Sequence, residues 1–416
     1  MLWDEAHLWG VLMTRVLAAW GLPHRLVLAR EVAGGLLTRQ PPMAVVVPGG
    51  FANRKSVSLG LAGLDALRGY VVRGGAYLGV CGGAGLGLTT PGGLALCPWT
   101  REPFLNRLQH FASGHVHLKP NRDSAFAHPG LTGEPLAPVW WPAKFRAAQD
   151  GVEVVGAYGE PGPDFMMADI PLARVDSQTL ADWEKAYGVR LAPGFSQGDP
   201  CIVAGEAGLG RYLLSHAHLE TPDSPQANTW LAHILERLTG IRPPGKLLPA
   251  PAWDLGQDPP AWEDQVLEEA MAKIMDVVRL GMDHGLLAWR ESWLLGWRQG
   301  LPGAQLNGLL AMLDQARRLT PNQTALDFWR TSRQDLGTSV ERLAKGLSGY
   351  LLAERLATTL WRVDPKAVPE HELKAARLAL FGPPPSTQVL DGGFCGQALA
   401  VLEQFIWLCS ASVNGC

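Results

Sequence analysis

The sequence lacks the cysteine patterns that hold many small domains together. Its 416 residues contain six cysteines and no CxxC pair. They occur at irregular spacing, at positions 81, 97, 201, 395, 409 and 416. This spacing argues against a disulfide framework and against a structural zinc site. The cysteines are therefore expected to be free thiols, which suits a reducing cytoplasm.

Long apolar runs and clusters of basic residues are missing as well. No apolar segment reaches the roughly 18 residues that a membrane-spanning helix needs, and no charged and apolar leader opens the chain. Lys and Arg are scattered, and the formal net charge is -3. We therefore expect a cytoplasmic protein with a small-molecule substrate and with neither nucleic acid nor membrane as its partner. The composition is compatible with a protein partner and with a homo-oligomer.

The length and the change of pattern along the chain predict two domains joined by a linker. Strand and helix patterns alternate over residues 1–245, as in an α/β domain with a parallel sheet. Residues 246–260 are rich in proline and are predicted to be a linker. Residues 261–416 have helical patterns throughout, which predicts an all-α domain of unknown role. A helix over 285–299 would align the tryptophans at 289, 293 and 297 on one face.

The most informative stretch is an apolar run that ends in Gly79-x-Cys81-x-Gly83. A strand, a nucleophile at a sharp turn and an immediate helix form a nucleophile elbow. Glycine on either side of the cysteine is needed because a Cβ there would collide across the turn. The N-terminus of the new helix would favour a thiolate. A buried, inert cysteine in a glycine-rich turn is the alternative interpretation.

Two other segments supply the remaining groups that a cysteine nucleophile needs. Gly49 and Gly50 follow a β-branched run, and their backbone N–H groups together with that of Gly82 are candidate oxyanion donors. His218 and Glu220 follow a predicted strand over residues 211–215. On an extended segment they lie on one face, so the carboxylate can orient the imidazole that activates the thiol.

The order of these three motifs resembles that of the class I glutamine amidotransferase-like superfamily. Within it, residues 74–84 and 208–220 are most similar to the amino-terminal domain of biotin–protein ligases. The resemblance covers residues 1–240. It implies a flavodoxin-like parallel sheet and a Cys81–His218–Glu220 triad, with Gly50 and Gly82 as oxyanion donors. It also implies covalent chemistry on an amide or related acyl bond, as in an amidotransferase or amide hydrolase, without cofactor or metal.

Two departures from the superfamily pattern keep a second hypothesis open. The amidotransferases usually carry glutamine four residues after the nucleophile, where this chain has Gly85, and their His-Pro-Glu is His-Leu-Glu here. No synthetase partner is recognisable in residues 250–416. The alternative to an enzyme is therefore a degenerate domain that binds a small molecule or a protein.

A metal site is the rival interpretation of the histidines. His115-x-His117 and His216-x-His218-x-Glu220 each place ligand types on one face of a strand. The metal interpretation leaves the elbow unexplained, and His216 is then expected to be a supporting or surface histidine. Asp4, Glu5 and His7 follow a short first strand and are further candidates for the pocket, with an N-cap as the alternative role of Asp4.

Overall fold

The structure, a computed structural model, describes residues 1–102, 112–191, 197–297, 303–384 and 392–411. The chain divides into two compact units, Met1–Ala252 and Trp253–Cys416. The boundary lies within residues 246–260, which contain no helix or strand. The first part of this segment is held to the first unit, because Trp20 Nε1 donates a hydrogen bond of 2.7 Å to the carbonyl of Leu248.

The first unit alternates helices and strands at its start and is richer in strands later. Its strands are β1 (Ala44–Val47), β2 (Ala76–Val80), β3 (Thr100–Arg101), β4 (Ala112–Pro120), β5 (Leu136–Trp140), β6 (Phe145–Arg146), β7 (Val152–Pro161), β8 (Met166–Met167), β9 (Ile170–Pro171), β10 (Pro200–Ala207) and β11 (Gly210–Ser215). Its helices are α1 (His7–Ala19), α2 (Ala29–Ala33), α3 (Leu36–Arg39), α4 (Ala52–Val72), α5 (Gly82–Gly87), α6 (Ser177–Tyr187) and α7 (Pro225–Thr239), with a 3₁₀ turn at Leu172–Arg174.

A mixed sheet of nine strands organises this unit, in the order β1-β2-β11-β10-β7-β4-β8-β9 with β5 also paired to β4. Only β1, β2 and β11 pair in parallel; the other pairings described are antiparallel. The expected flavodoxin-like parallel sheet is therefore limited to these three strands. The α/β class is correct, but an antiparallel extension makes up most of the sheet. All five residues of β2 are buried, as a strand between two parallel neighbours requires.

One local prediction fails. The pattern of residues 25–29 predicts a strand, but Val27 makes only a single parallel bridge with Leu2, and helix α2 begins at Ala29. Tyr70–Val72 forms the end of α4. The sequence pattern predicts a helix over residues 56–67, and α4 extends it in both directions. The helix has a break at Gly60, where φ is 58°. The helix predicted over 104–111 lies outside the described residues.

The second unit is mainly helical. Its elements are α8 (Gln265–Asp283), β12 (Leu287–Glu291), β13 (Leu294–Trp297), α9 (Gly303–Arg318), α10 (Gln323–Val363), α11 (Glu370–Phe381) and α12 (Gly393–Ala411), with a 3₁₀ turn at Pro365–Ala367. The two helices predicted over 322–361 form one 41-residue helix, because the glycine at 337 weakens a helix without breaking it. No helix in the described part of the chain is long and apolar enough to span a bilayer.

A helix is predicted over residues 285–299, and the prediction that this unit is all-α is wrong at residues 287–297. Strands β12 and β13 pair antiparallel there, with Trp289 opposite Leu295. The hairpin is stabilised from α9: the amide of buried Asn307 accepts from Leu295 N at 2.8 Å and donates to Trp293 O at 3.2 Å. The expected helical stripe of tryptophans therefore does not exist. Side-chain hydrogen bonds from another element outweighed the local helical pattern.

Candidate functional site

Cys81 occupies a strained turn between strand and helix. Strand β2 ends at Val80, helix α5 begins at Gly82, and Cys81 between them has φ 50° and ψ −105°. Positive φ is uncommon for a residue with a side chain and is often found at functional sites. The backbone N–H of Cys81 donates to Ser215 O at 2.7 Å, which ties the turn to the end of β11. The strand, turn and helix predicted for this stretch are all present.

Close backbone contacts at this turn require the glycines. A Cβ on Gly79 would lie 2.5 Å from Gly83 O, and a Cβ on Gly83 would overlap the carbonyl of Val47. A Cβ on Gly82 would overlap the carbonyl of Gly50, so the loop after β1 lies against the start of α5. The two segments with candidate oxyanion donors therefore meet beside Cys81.

Gly49 and Gly50 have different constraints. Gly50 has φ 113°, which disfavours any side chain, and a Cβ there would overlap the carbonyl of Glu5. A Cβ on Gly49 would lie 2.8 Å from Cε1 of His218 and 2.6 Å from Trp9. The loop after β1 thus packs directly on the candidate catalytic histidine.

His218 and Glu220 form a fully buried pair after β11. The Nδ1 atom of His218 lies 2.7 Å from Oε1 of Glu220, and neither side chain is exposed. The segment is fixed by hydrogen bonds from both sides: His218 N donates to Pro138 O at 2.9 Å, and the amide of Asn228 donates to Leu219 O at 2.8 Å. The geometry therefore gives the imidazole one defined carboxylate partner.

Electrostatics couple this histidine to Cys81. Burial lowers the pKa of His218, but Glu220 and Cys81 act in the opposite direction and raise it to about 10. The remaining ring nitrogen, Nε2, is buried, and no described residue satisfies its hydrogen bond. The thiol of Cys81 lies near enough to this ring to favour an imidazolium. Catalytic hydrogen bonds are often long or poorly aligned in a free enzyme.

Among the described cysteines, Cys81 is the only one that is not buried. Burial raises the pKa of the thiols of Cys97 and Cys201, and it raises that of Cys409 to about 12. These thiols are held protonated, and access to them is blocked. Cys81 combines access to solvent with a neighbouring imidazole.

The sequence analysis missed one residue in contact with the pair. The indole of Trp9, on α1, stacks on His218 with ring centroids 3.7 Å apart and an interplanar angle of 19°. Trp9 is half-buried. The only signal in the sequence is that this large aromatic residue is not part of the apolar helical pattern of α1. Stacking fixes the plane of the imidazole.

The other candidate residues have separate partners. His115 Nδ1 pairs with Asp164 at 3.0 Å, His117 Nδ1 lies 3.2 Å from Glu134 O, and His216 stacks on Phe145 at 4.2 Å. In the described ranges, no group of three or more His, Cys, Asp and Glu ligand atoms close enough to hold a metal ion includes His216 or His218. The structure therefore does not bring the two His-x-His pairs together as a metal centre.

Asp4, Glu5 and His7 lie at the start of α1. The carboxylate of Asp4 accepts from the backbone N–H of Ala29 at 2.7 Å, which caps the start of α2, not that of α1. Glu5 and His7 have positive φ, 55° and 41°. Glu5 contributes its carbonyl to the contact with Gly50. The carbonyl of Glu5 therefore packs against the loop after β1 that contains Gly49 and Gly50.

Comparisons with known proteins give only weak similarities. No family model and no curated protein matches the sequence. Among solved structures, the chain is similar to a GMP synthase-like protein from Thermoplasma acidophilum (12% identity, TM-score 0.36, 57% of this chain and 92% of that one). It is also similar to a glutamine amidotransferase (20% identity, TM-score 0.35, 56% of this chain and 94% of that one). A third similar structure is a cytoplasmic protein from Salmonella typhimurium (13% identity, TM-score 0.34, 55% of this chain and 85% of that one). With TM-scores below 0.5, these similarities carry no argument about activity.

Proposed function

We propose that the chain is a cysteine-dependent enzyme that cleaves or transfers the acyl group of a small amide or related acyl compound. The observation that carries the proposal is the buried His218–Glu220 pair next to Cys81, the accessible thiol at a strained strand-to-helix turn. A structural role alone would not require an ionised pair to be buried beside a half-exposed thiol, because burial of charge is costly.

The reaction follows from the positions of these groups. The Cys81 sulfur attacks the carbonyl carbon, and its proton passes to Nε2 of His218. Glu220 stabilises the imidazolium through Nδ1. The backbone N–H groups of Gly50 and Gly82 stabilise the oxyanion, and the positive end of the α5 backbone adds to this effect. His218 then protonates the leaving amine, a thioester on Cys81 forms, and water or a second nucleophile resolves it.

The finer assignments are part of the same proposal. We assign the first unit to the amidotransferase-like class and, from residues 74–84 and 208–220, place it nearest to the amino-terminal domain of biotin–protein ligases. This chemistry needs no cofactor, and it needs a reduced thiol, as in a reducing cytoplasm. We propose that the second unit binds either a protein partner or a second copy of this chain.

An activated ester tests the proposal without knowledge of the natural substrate. p-Nitrophenyl acetate should acetylate Cys81 first, with a burst of nitrophenolate approaching one equivalent and the acetyl group located by mass spectrometry. Cys81→Ala should abolish the burst, and His218→Ala should slow it by about 100-fold, the usual contribution of a general base. His284→Ala removes an exposed histidine of the second unit and is the matched control.

Acetylation spread over lysines, or a burst that survives Cys81→Ala, would contradict the enzyme proposal. The alternative function, a binding module that keeps the pocket without turnover, would then be favoured.

A further inference from the structure

A short ribbon of two strands places an arginine beside the candidate nucleophile. Strands β3 and β6 pair antiparallel, with Arg101 directly opposite Phe145. Residues directly opposite each other in an antiparallel pair project from the same face of the ribbon. Phe145 is buried and stacks on His216, with ring centroids 4.2 Å apart. Arg101 therefore projects toward the side on which His216 lies.

His216 in turn lies next to the candidate triad. It follows Ser215, whose carbonyl accepts the backbone N–H of Cys81, and it precedes His218 by two residues. Its Nε2 is buried, and no residue in the described ranges satisfies it. An unsatisfied buried polar atom is unfavourable, so a ligand group that forms a hydrogen bond with it would remove that penalty.

The electrostatics agree with this arrangement. Burial, Arg101 and His218 together lower the pKa of His216 to about 3, so this ring is neutral at physiological pH. Burial lowers the pKa of Arg101, and Cys81 acts against that lowering. Arg101 as a whole remains exposed. The side of the ribbon on which His216 lies thus has one exposed permanent cation and one neutral imidazole.

We propose that Arg101 and His216 form an anion-binding subsite beside Cys81, which accepts the carboxylate of an anionic acyl substrate. This inference rests on the proposed function, because it names the substrate class of the same site. The guanidinium presents paired N–H donors that match a carboxylate, and His216 donates through Nε2 in its Nε2–H tautomer. A carboxylate held there places the rest of the substrate next to the sulfur.

Two alkylating reagents that differ by one charge test the subsite. Iodoacetamide is neutral and iodoacetate carries a carboxylate, and both alkylate thiolates. The measurement is the ratio of their second-order rate constants at Cys81, by mass spectrometry at low salt. Arg101→Gln should lower the iodoacetate-to-iodoacetamide ratio about tenfold, the effect of one charge-assisted contact. Arg101→Lys should retain part of it, and 1 M salt should reduce the wild-type ratio.

Arg146→Gln is the matched control, because Arg146 is exposed on the same ribbon but is paired with Thr100. It should leave the ratio unchanged. The iodoacetamide rate reports whether each variant is folded at the site. In a second measurement, glutarate should protect Cys81 from iodoacetamide in the wild type and not in Arg101→Gln.

The outcomes separate the two proposals. Normal alkylation of Cys81 with equal ratios in wild type and Arg101→Gln, and no protection by glutarate, would overturn the subsite and leave the enzyme proposal intact. Failure of both reagents to prefer Cys81 over the other cysteines would contradict the enzyme proposal and the subsite with it.

Discussion

Replacement of Glu220 by glutamine should slow the reaction of Cys81 while keeping the shape of the site. Oε1 of Glu220 lies 2.7 Å from Nδ1 of His218, and both side chains are fully buried. A hydrogen bond to a charged group contributes about 1.5–3 kcal/mol, and about 1.4 kcal/mol corresponds to one pKa unit. The pKa of His218 should therefore fall by about 1–2 units. Where the thiol predominates, the thiolate–imidazolium pair should be about 10- to 100-fold less populated.

The assay is the pH dependence of iodoacetamide alkylation at Cys81 between about pH 5.5 and 9. Glu220→Gln should shift the rise in rate to higher pH and lower the rate at pH 7. Glu153→Gln, which removes an exposed carboxylate on β7, should leave the profile unchanged. Coincident profiles for Glu220→Gln and wild type would show that the buried pair does not control the thiol.

Three further predictions concern the stability and the specificity of the first unit. The pKa of His216 in the folded protein, about 3, lies below its ordinary value of 6.5, so its stabilising contribution is present above pH 6.5 and is lost as pH falls toward 3. In urea titrations, the free energy of unfolding of His216→Gln should therefore decrease less than that of the wild type as pH falls from 6.5 toward 3. Gly82→Ala should destabilise the protein by about 1–3 kcal/mol, since the new Cβ overlaps the carbonyl of Gly50, whereas Gly349→Ala, which meets no atom, should not. Free glutamine should release little ammonia, because Gly85 has no side chain to bind it; glutaminase turnover that disappears in Cys81→Ala would contradict this expectation.

The parts of the site that could be predicted are those encoded over short stretches. The elbow at Cys81 is predicted from Gly79 and Gly83, two residues before and two residues after the cysteine. A Cβ added to either glycine would collide with backbone atoms, as expected. Two apolar runs joined by a tight turn at residues 206–210 predict a hairpin, and β10 and β11 form it, with Ile202 opposite Ser215. Both patterns are local, so sequence spacing is enough to find them.

The parts that could not be predicted depend on pairing between distant segments. Trp9 contacts His218 although more than 200 positions separate them, and Arg101 lies opposite Phe145 only because β3 pairs with β6. No periodicity in either segment indicates its partner. The antiparallel half of the sheet was missed for the same reason: β4 and β7 are long strands whose direction is set by the loops between them, and strand patterns do not encode direction.

A final prediction distinguishes a retained nucleophile from an inert cysteine in a tight turn. At φ 50° and ψ −105°, Cys81 is in a conformation that glycine adopts without strain, and the strain for another residue costs about 1–3 kcal/mol. Cys81→Gly removes that strain at an entropic cost of about 0.5–1 kcal/mol, whereas Cys81→Ala keeps it. The glycine variant should therefore melt about 2–4 °C above the alanine variant, by differential scanning fluorimetry. If the glycine variant melts below the alanine variant, the turn is not strained at this residue, and the argument that a cysteine is kept there for its chemistry loses its physical basis.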